Sequence, residues 1–354
     1  MHRGLSVVLL SAVVTGCAAM GPRALRANQV DYARAVGEAT NREILSMIVG
    51  LRYADAPAFL NLTQIIAAYT FDAASGAQVN VGPNPSGGPP VAATGSLSYA
   101  NHPTFTFTPI SGEAYARAYI QPLPPALILP LIDSGIPVDL LLRITVQSIG
   151  DLDNATMLGG PSGGGSPQFF RLLRVLRRLQ LSGALSVQYQ AHGNTGQVSL
   201  LIGAPSGGAS AAVSADAARA RALLHLSSPA GHYPIVSADT STPADTIPVA
   251  TRSVLAILSD VSAQISVPRA DVRLGATKPS VPLVGGETRP VIVVHAGKRV
   301  PATAYLSVTY RGTHLLIDDS DFDSKDALSV VQNVMALATI TDFSRAPLVT
   351  VPAG

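Results

Sequence analysis

The sequence contains no tryptophan and only one cysteine among its 354 residues. One thiol cannot close a disulfide within the chain, nor can it supply the several sulfur ligands of a structural metal site. Counting therefore excludes a disulfide framework, a Cys-ligated zinc and a Cys-rich iron site. Charged residues make up only 13%, against about 25% in average globular domains, and the net charge is +2. A nucleic-acid-binding domain is not expected, because such domains concentrate lysine and arginine.

Glycine and proline are abundant, with 31 and 27 residues respectively. This composition argues against a coiled coil or a long helical bundle and favours many loops. The length is sufficient for one large domain or two average ones, since single cores stop growing at about 250 to 300 residues.

The N-terminus has the pattern of an export signal. A short basic region, 1–4, precedes an apolar run, Leu5–Val14, which is too short to cross a bilayer core of about 30 Å as a helix. Val14-Thr15-Gly16-Cys17 then resembles the lipobox of bacterial lipoproteins, in which an aliphatic residue and two small residues precede a lipid-accepting cysteine. The resemblance implies diacylglycerol on the Cys17 thiol and cleavage just before it. An ordinary signal peptide with a chance cysteine, or a buried N-terminal helix, is the alternative.

This interpretation makes residues 1–16 a signal peptide and 17–27 a tether. Two or three acyl chains anchor a protein stably, whereas a single chain does so only marginally. Ala18, rather than aspartate, follows the cysteine. By resemblance to the sorting rule of Gram-negative lipoproteins, this indicates the outer membrane, with the protein facing the periplasm. No later segment is expected to span, because the apolar stretch 122–146 contains prolines and charged residues.

The mature chain is expected to have an α+β fold, since helices and antiparallel hairpins mix without regular alternation. A run of small residues, 203–212, suggests a boundary between an N-terminal domain, 28–205, and a C-terminal domain, 213–354. The predicted elements that matter below are a loop over 73–93, a hairpin of 96–99 with 104–108, a strand over 138–149, a helix over 167–181 and a last helix over 322–340.

Gly160-Pro161-Ser162-Gly163-Gly164 has the G-x-S-x-G spacing of a serine nucleophile. That chemistry requires a tight turn between a strand and a helix, and a histidine as base. Here the predicted helix begins only near Pro167, so a flexible linker is favoured over a catalytic Ser162. The seven histidines are scattered without a zinc spacing, and no phosphate-binding glycine motif is present. No cofactor is expected.

Asp319, Asp321 and Asp323 alternate as in the first half of a calcium loop. An EF-hand also requires glycine at its sixth position and glutamate at its twelfth, where this chain has Ser324 and Val330. We interpret these acids as the start of the last helix, capped by Ser320 or Asp323, and the three carboxylates remain only weak candidates for a metal.

Two surfaces are candidates for binding a partner. The helix over 167–181 carries Arg171, Arg174, Arg177 and Arg178 opposite its apolar face, so it could contact anionic headgroups or an acidic partner. A solvated face is the simpler interpretation. The last helix is apolar around most of its circumference, which indicates burial in the chain's own core or, through residues such as Val334 and Leu337, against another protein.

Several stretches resemble a group of uncharacterised bacterial envelope lipoproteins. In that group aromatic residues commonly precede the Ile-Asp-Asp sequence, where this chain has Leu315 and Leu316. The resemblance implies one architecture across most of the mature chain and transfers no catalytic residue. The stretches are Asn41-Arg42-Glu43, 49–53, 57–60, Pro137 to Ile149, Tyr310-Arg311-Gly312, Ile317-Asp318-Asp319 and Ser324-Lys325.

These observations lead to one leading expectation and two alternatives. The leading one is a lipid-anchored periplasmic lipoprotein that acts without catalysis, as a structural or partner-binding component of the cell envelope. The first alternative is a carrier or sensor of an apolar small molecule or lipid, since the body is apolar and poor in charge. A serine hydrolase that uses Ser162 is the second.

Overall fold

The computed structural model describes most of the chain between residues 30 and 339. Its residues fall into two compact units, Ala58–Ala114 and the remainder, which are treated separately below. Within the described ranges, no helix combines the length and the apolar character needed to cross a membrane. The described residues are 30, 33–57, 59–66, 69–79, 91–101, 104–155, 164–192, 195–203, 210–228, 231–238, 243–280 and 289–339.

The unit Ala58–Ala114 is built from two antiparallel strand pairs. β1 (Leu60–Ile66) pairs with β4 (Thr104–Pro109), and β2 (Tyr69–Val79) pairs with β3 (Val91–Asn101). Two predictions were therefore wrong: 96–99 pairs with β2 rather than with 104–108, and 73–79 and 91–93 are strand rather than loop. The small residues of these segments have weak strand propensity, and pairing along eleven residues overrides it.

The larger unit contains most of the helices. The described helices, of which only α2 begins in the smaller unit, are α1 (33–52), α2 (Gly112–Tyr115) with the π-helical turn Ala116–Ile120, α3 (Pro125–Ile128) with the 3-10 turn Leu129–Ile132, α4 (Val138–Thr145), α5 (Pro167–Leu181), α6 (Ala211–Leu223), α7 (Val254–Gln264), α8 (Arg269–Arg273) and α9 (Phe322–Thr339). α5 packs against α4 and α6, and α9 packs against α4 and α7.

A mixed six-stranded sheet runs through this unit in the order β6-β5-β10-β9-β8-β7. β9 and β10 are parallel, and the other neighbours are antiparallel. A second, antiparallel sheet has the order β11-β13-β12. The strands are β5 (Val146–Ile149), β6 (Leu152–Asp153), β7 (Leu185–His192), β8 (Thr195–Ile202), β9 (His232–Ser237), β10 (Ile247–Thr251), β11 (His295–Gly297), β12 (Ala304–Tyr310) and β13 (Thr313–Asp318).

The α+β prediction is confirmed, but the chain does not divide where the small residues suggested. The segment 203–212 separates β8 from α6, yet β8 pairs directly with β9, with Ser199 opposite Pro234. The predicted domains 28–205 and 213–354 therefore contribute strands to the same sheet. The run of small residues is therefore a connection within one domain, because the strands before and after it are hydrogen-bonded to each other in one sheet.

The predicted strand over 138–149 was also wrong in its first two thirds. Val138–Thr145 is helix α4, and only Val146–Ile149 is strand. Val138, Leu141 and Leu142 recur at helical spacing and are at most 2% exposed. The polar residues that suggested alternation lie late in the segment, where the helix gives way to β5.

Helix α5 confirms the prediction over 167–181. The Ser166 side chain caps it by accepting a 3.2 Å hydrogen bond from the Phe169 amide, and Pro167 occupies the first turn. Phe169, Leu172 and Leu176 are fully buried. The opposite face of α5 therefore projects its arginines outward, next to α4 and the start of α9.

Candidate functional site

An open groove of about 410 Å³ lies where α4, α5, the start of α9 and residues 289–291 meet. Ligand-binding sites in proteins commonly measure about 300 to 1,000 Å³, so the groove can take a small ligand or a short chain segment. Its floor is apolar, with Phe170, Leu173 and Val291 each at most 9% exposed.

One wall of the groove is rich in arginine. Arg174 and Arg177 are one turn apart on α5, and Arg143 reaches the groove from α4. Arg177 donates a 2.6 Å hydrogen bond to Gln180, and its Nε lies 3.8 Å from Oδ1 of Asp139. Arg143 donates to the backbone carbonyl of Arg289. The described residues of this wall are therefore three arginines and one aspartate, with apolar residues between them.

The facing wall is formed by the first two turns of α9. Asp323 and Asp326 line the groove there, and the Asp323 side chain is 73% exposed. Arg289 donates to the carboxylates of both Asp321 and Asp323. Hydrogen bonding to Asp321 raises the pKa of Arg289, so this guanidinium stays charged beside α9. Among the residues that the structure describes on this side, Asp321 and Asp323 bind Arg289, and Asp326 adds a third carboxylate.

Phe322 stands at the rim of the groove. Its side chain is 71% exposed, although phenylalanine is among the residues most often buried in folded proteins. Its position is set by the cap of α9, in which the Asp321 carboxylate accepts from the Ser324 amide at 3.1 Å and from its hydroxyl at 2.6 Å. The cap therefore fixes an exposed aromatic ring beside the acidic wall.

Asp321, rather than the expected Ser320 or Asp323, caps the last helix. Burial opposes its ionisation, but hydrogen bonds from Arg289 and Ser324 outweigh that effect and lower the pKa of Asp321. Asp321 is thus an ionised acceptor at the positive end of the helix, where a carboxylate is stabilised.

The three alternating carboxylates that were weak metal candidates each face a cation. Asp319 pairs with Lys325 at 2.9 Å, and Asp321 and Asp323 both pair with Arg289. In the part of the chain that the structure describes, no group of three or more His, Cys, Asp or Glu is arranged to hold a metal. Their roles in the fold are capping and ion pairing.

The candidate partner-binding residues differ in their exposure and in their contacts. Arg174 lines the groove, whereas Arg171 is exposed one turn earlier on α5 and does not. Arg178 is bound to Asp216 of α6 through two hydrogen bonds of 2.7 Å. Val334 is only 1% exposed, so α9 buries it within the chain itself and it offers no surface to a partner; Leu337 is half-buried.

Cys17, the predicted lipidation site, lies outside the described residues, and so does Ser162, whose motif was interpreted as a linker. Sequence reasoning in turn missed Asp139, Arg143, Arg289, Phe322 and Asp326 as members of a common site. One signal was present, because Asp139 and Arg143 are four residues apart and share a face once 138–145 is a helix. Nothing local connects them to residues 289–326, which are about 150 positions further along the chain and meet them only through tertiary packing.

A second cavity, of about 610 Å³, lies beside α8, where Arg269, Arg273 and Ser280 contribute to its lining. Nearby, the buried Arg52 donates to the Lys278 carbonyl at 2.7 Å and to the Ser280 hydroxyl. Burial lowers the pKa of Arg52. Together with Thr277, which donates to the Arg52 carbonyl at 2.7 Å, these bonds fasten the end of α1 to the segment after α8.

In comparisons with protein-family models, curated proteins and solved structures, no match to this chain was found.

Proposed function

We propose that this chain is a lipid-anchored protein of the bacterial cell envelope that binds a partner without catalysing a reaction. The lipobox-like sequence ending at Cys17 supports the lipid anchor. We propose that this anchor holds the protein on the outer membrane, facing the periplasm. The groove between α4, α5 and α9 supports the binding role. No cofactor and no nucleic acid form part of the proposal.

The groove is the observation that carries the binding role. It combines an apolar floor, arginines on one wall, carboxylates on the other and an exposed Phe322 at the rim. Arginine and aromatic residues, phenylalanine included, are enriched where proteins bind one another, and arginine is also enriched among the residues that dominate binding energies. Arg174, one of the arginines that the sequence makes a candidate for binding a partner, also lines this groove.

This groove fits the alternative roles less well. A carrier of an apolar molecule requires an enclosed apolar cavity, because charged walls must be desolvated at a cost when such a ligand enters. A hydrolase requires a nucleophile beside its base. The described residues that line the groove are hydrophobic, arginine, aspartate and proline residues, so a binding role agrees with their chemistry better than a hydrolytic one.

A photo-crosslinking experiment in intact cells tests the binding role. Phe322 is replaced by p-benzoylphenylalanine, and the matched control places the same probe at Tyr189, an exposed aromatic residue on β7. We expect a discrete crosslinked product from position 322 that is absent from position 189, and we expect Arg174→Glu to abolish it. Equal products from both positions, or a product from position 322 that Arg174→Glu leaves unchanged, would contradict partner binding at the groove.

A further inference from the structure

We infer that the groove binds a peptide segment of the partner in which an acidic and a basic side chain flank apolar residues. This inference rests on the proposed partner-binding function and specifies its ligand. It depends on the separation of charge between the two walls and on the apolar surface between them.

The two walls differ in sign. Among the described lining residues on the side of α4 and α5, there are three arginines, Arg143, Arg174 and Arg177, and one carboxylate, Asp139. On the side of α9, Arg289 already serves the carboxylates of Asp321 and Asp323, and Asp326 adds another negative charge. A ligand with a single charge would meet attraction at one wall and repulsion at the other, whereas a ligand with one charge of each sign is complementary to both.

Each wall suits a particular group on the ligand. An arginine guanidinium binds a carboxylate through two parallel hydrogen bonds, which gives Arg174 and Arg177 a preference for glutamate or aspartate. Asp323 and Asp326 accept hydrogen bonds from a lysine or arginine side chain. Because Asp326 is half-buried, its contact with a cation is screened less by solvent than that of the exposed Asp323.

The floor and the rim accommodate the apolar part of the segment. The apolar residues Leu140, Phe170, Leu173 and Val291 line the groove, and so does the exposed Phe322. Burial of apolar surface contributes affinity without direction, while the charged walls set orientation. A short peptide with leucine between its charged residues matches this arrangement.

A membrane surface fits the groove less well than a peptide does. Faces that lie on anionic membranes are basic throughout, with apolar residues beneath, because each lysine or arginine near the headgroups adds to the attraction. Here Asp323 and Asp326 stand beside the apolar floor, and they would be repelled by anionic headgroups. Mixed charge therefore favours a protein segment as the occupant.

The test measures binding of capped tetrapeptides to the full chain, purified in an uncharged detergent, by isothermal titration calorimetry. The first peptide has the order glutamate, leucine, leucine, lysine. The others replace the charged pair by two glutamates, two lysines or two glutamines. We expect the mixed-charge peptide to bind at least about tenfold more tightly than each of the other three.

Variants on each wall test which wall binds which charged group of the peptide. Arg174→Glu removes the excess of arginine on the side of α4 and α5 and leaves the side of α9 acidic, so its preference should move to the peptide with two lysines. Asp326→Lys removes the excess of carboxylates on the side of α9 and leaves the other side basic, so its preference should move to the peptide with two glutamates. The controls are Arg171→Glu on α5 and Ser329→Lys on α9, which place the same charges one turn away from the groove lining. They should retain the parent's order of preference.

Saturable binding that follows these shifts supports the inference. The inference is overturned if the four peptides bind equally or if none of them binds saturably. It is also overturned if the peptides do not bind but vesicles of phosphatidylethanolamine and phosphatidylglycerol do, and if Arg174→Glu abolishes that vesicle binding. Failure here with retained crosslinking at position 322 would remove the mixed-charge ligand alone. Loss of that crosslinking would instead contradict the proposed function.

Discussion

Arg178 donates two hydrogen bonds of 2.7 Å to the Asp216 carboxylate and thereby joins α5 to α6. Of the four α5 arginines named as candidates for contact with a partner, this one binds a carboxylate of α6. Arg174, one turn earlier, lines the groove. Residues that share one exposed helix face therefore have different roles, which only their neighbours reveal.

The Arg178–Asp216 pair gives a prediction about pH. The hydrogen bond from Arg178 lowers the pKa of Asp216 below its usual value, so the pair stabilises the fold when the unfolded carboxyl is ionised. Asp216→Asn should reduce the free energy of unfolding at pH 7 by at most about 1 kcal/mol, because Arg178 is half exposed. The difference from the parent should persist down to about pH 4 and shrink below it, as the carboxyl becomes protonated in the folded state.

Urea unfolding of the two proteins across this pH range measures the effect. Asp151→Asn is the control, since Asp151 is exposed and forms no ion pair with any residue that the structure describes. A difference between parent and Asp216→Asn that grows as the pH falls would contradict the predicted direction.

A second prediction concerns the buried ion pair of Arg252 and Asp260. Their side chains are 6% and 9% exposed, with Nη1 and Oδ2 3.4 Å apart, and burial lowers the pKa of Arg252. Arg252 also donates to the carbonyls of Ala155 and Ile144. Arg252→Met should lower the free energy of unfolding by about 3 to 5 kcal/mol, because it leaves a buried carboxylate without its cation.

Denaturant unfolding tests this value, with Arg171→Met as the exposed control, expected to change stability by less than about 0.5 kcal/mol. The double variant Arg252→Met, Asp260→Leu should recover part of the loss, since it also removes the buried negative charge but leaves the carbonyls of Ala155 and Ile144 without the Arg252 donor. Equal stability of Arg252→Met and the control would refute the account of this pair.

A third prediction separates capping from ion pairing at the start of α9. Asp321 and Asp323 both bind Arg289, but only Asp321 accepts from the Ser324 amide. Asp321→Ala should therefore lower the free energy of unfolding by about 1 to 2 kcal/mol, the upper part of the range of about 0.5 to 2 kcal/mol measured for loss of a helix cap, because it also removes an acceptor of Arg289. Asp323→Ala should cost less than about 1 kcal/mol, because that side chain is 73% exposed. Thermal unfolding of the two variants measures these losses of stability. Equal losses, or a larger loss for Asp323→Ala, would contradict the capping role of Asp321.

The fold was predictable where local signals agreed with tertiary packing. Helix α5 has a serine cap, a proline in its first turn and a regular apolar face, and its predicted bounds are those observed. The segment 138–145 was misassigned because its polar residues alternate near the end, while the helical spacing of its buried residues is equally visible in the sequence. The strands of β2 and β3 were missed because small residues reveal little about long-range pairing.

The groove was predictable only in part. The arginines on the outer face of α5 follow directly from its periodicity, so Arg174 was identified as a candidate. Its acidic counterpart comes from α9, whose first turn was recognised as a helix start but was assigned to capping alone. That α9 packs against α4, and so brings Asp326 to the same groove as Arg143, depends on contacts between segments far apart in the chain.

The central claim is that this protein is held on a membrane by lipid attached to Cys17, and metabolic labelling with radioactive palmitate tests it most directly. The parent should incorporate label and sediment with membranes, whereas Cys17→Ala should incorporate none and remain in the supernatant after fractionation. Membrane retention of Cys17→Ala equal to that of the parent, or a parent chain that carries no label, would contradict the claim.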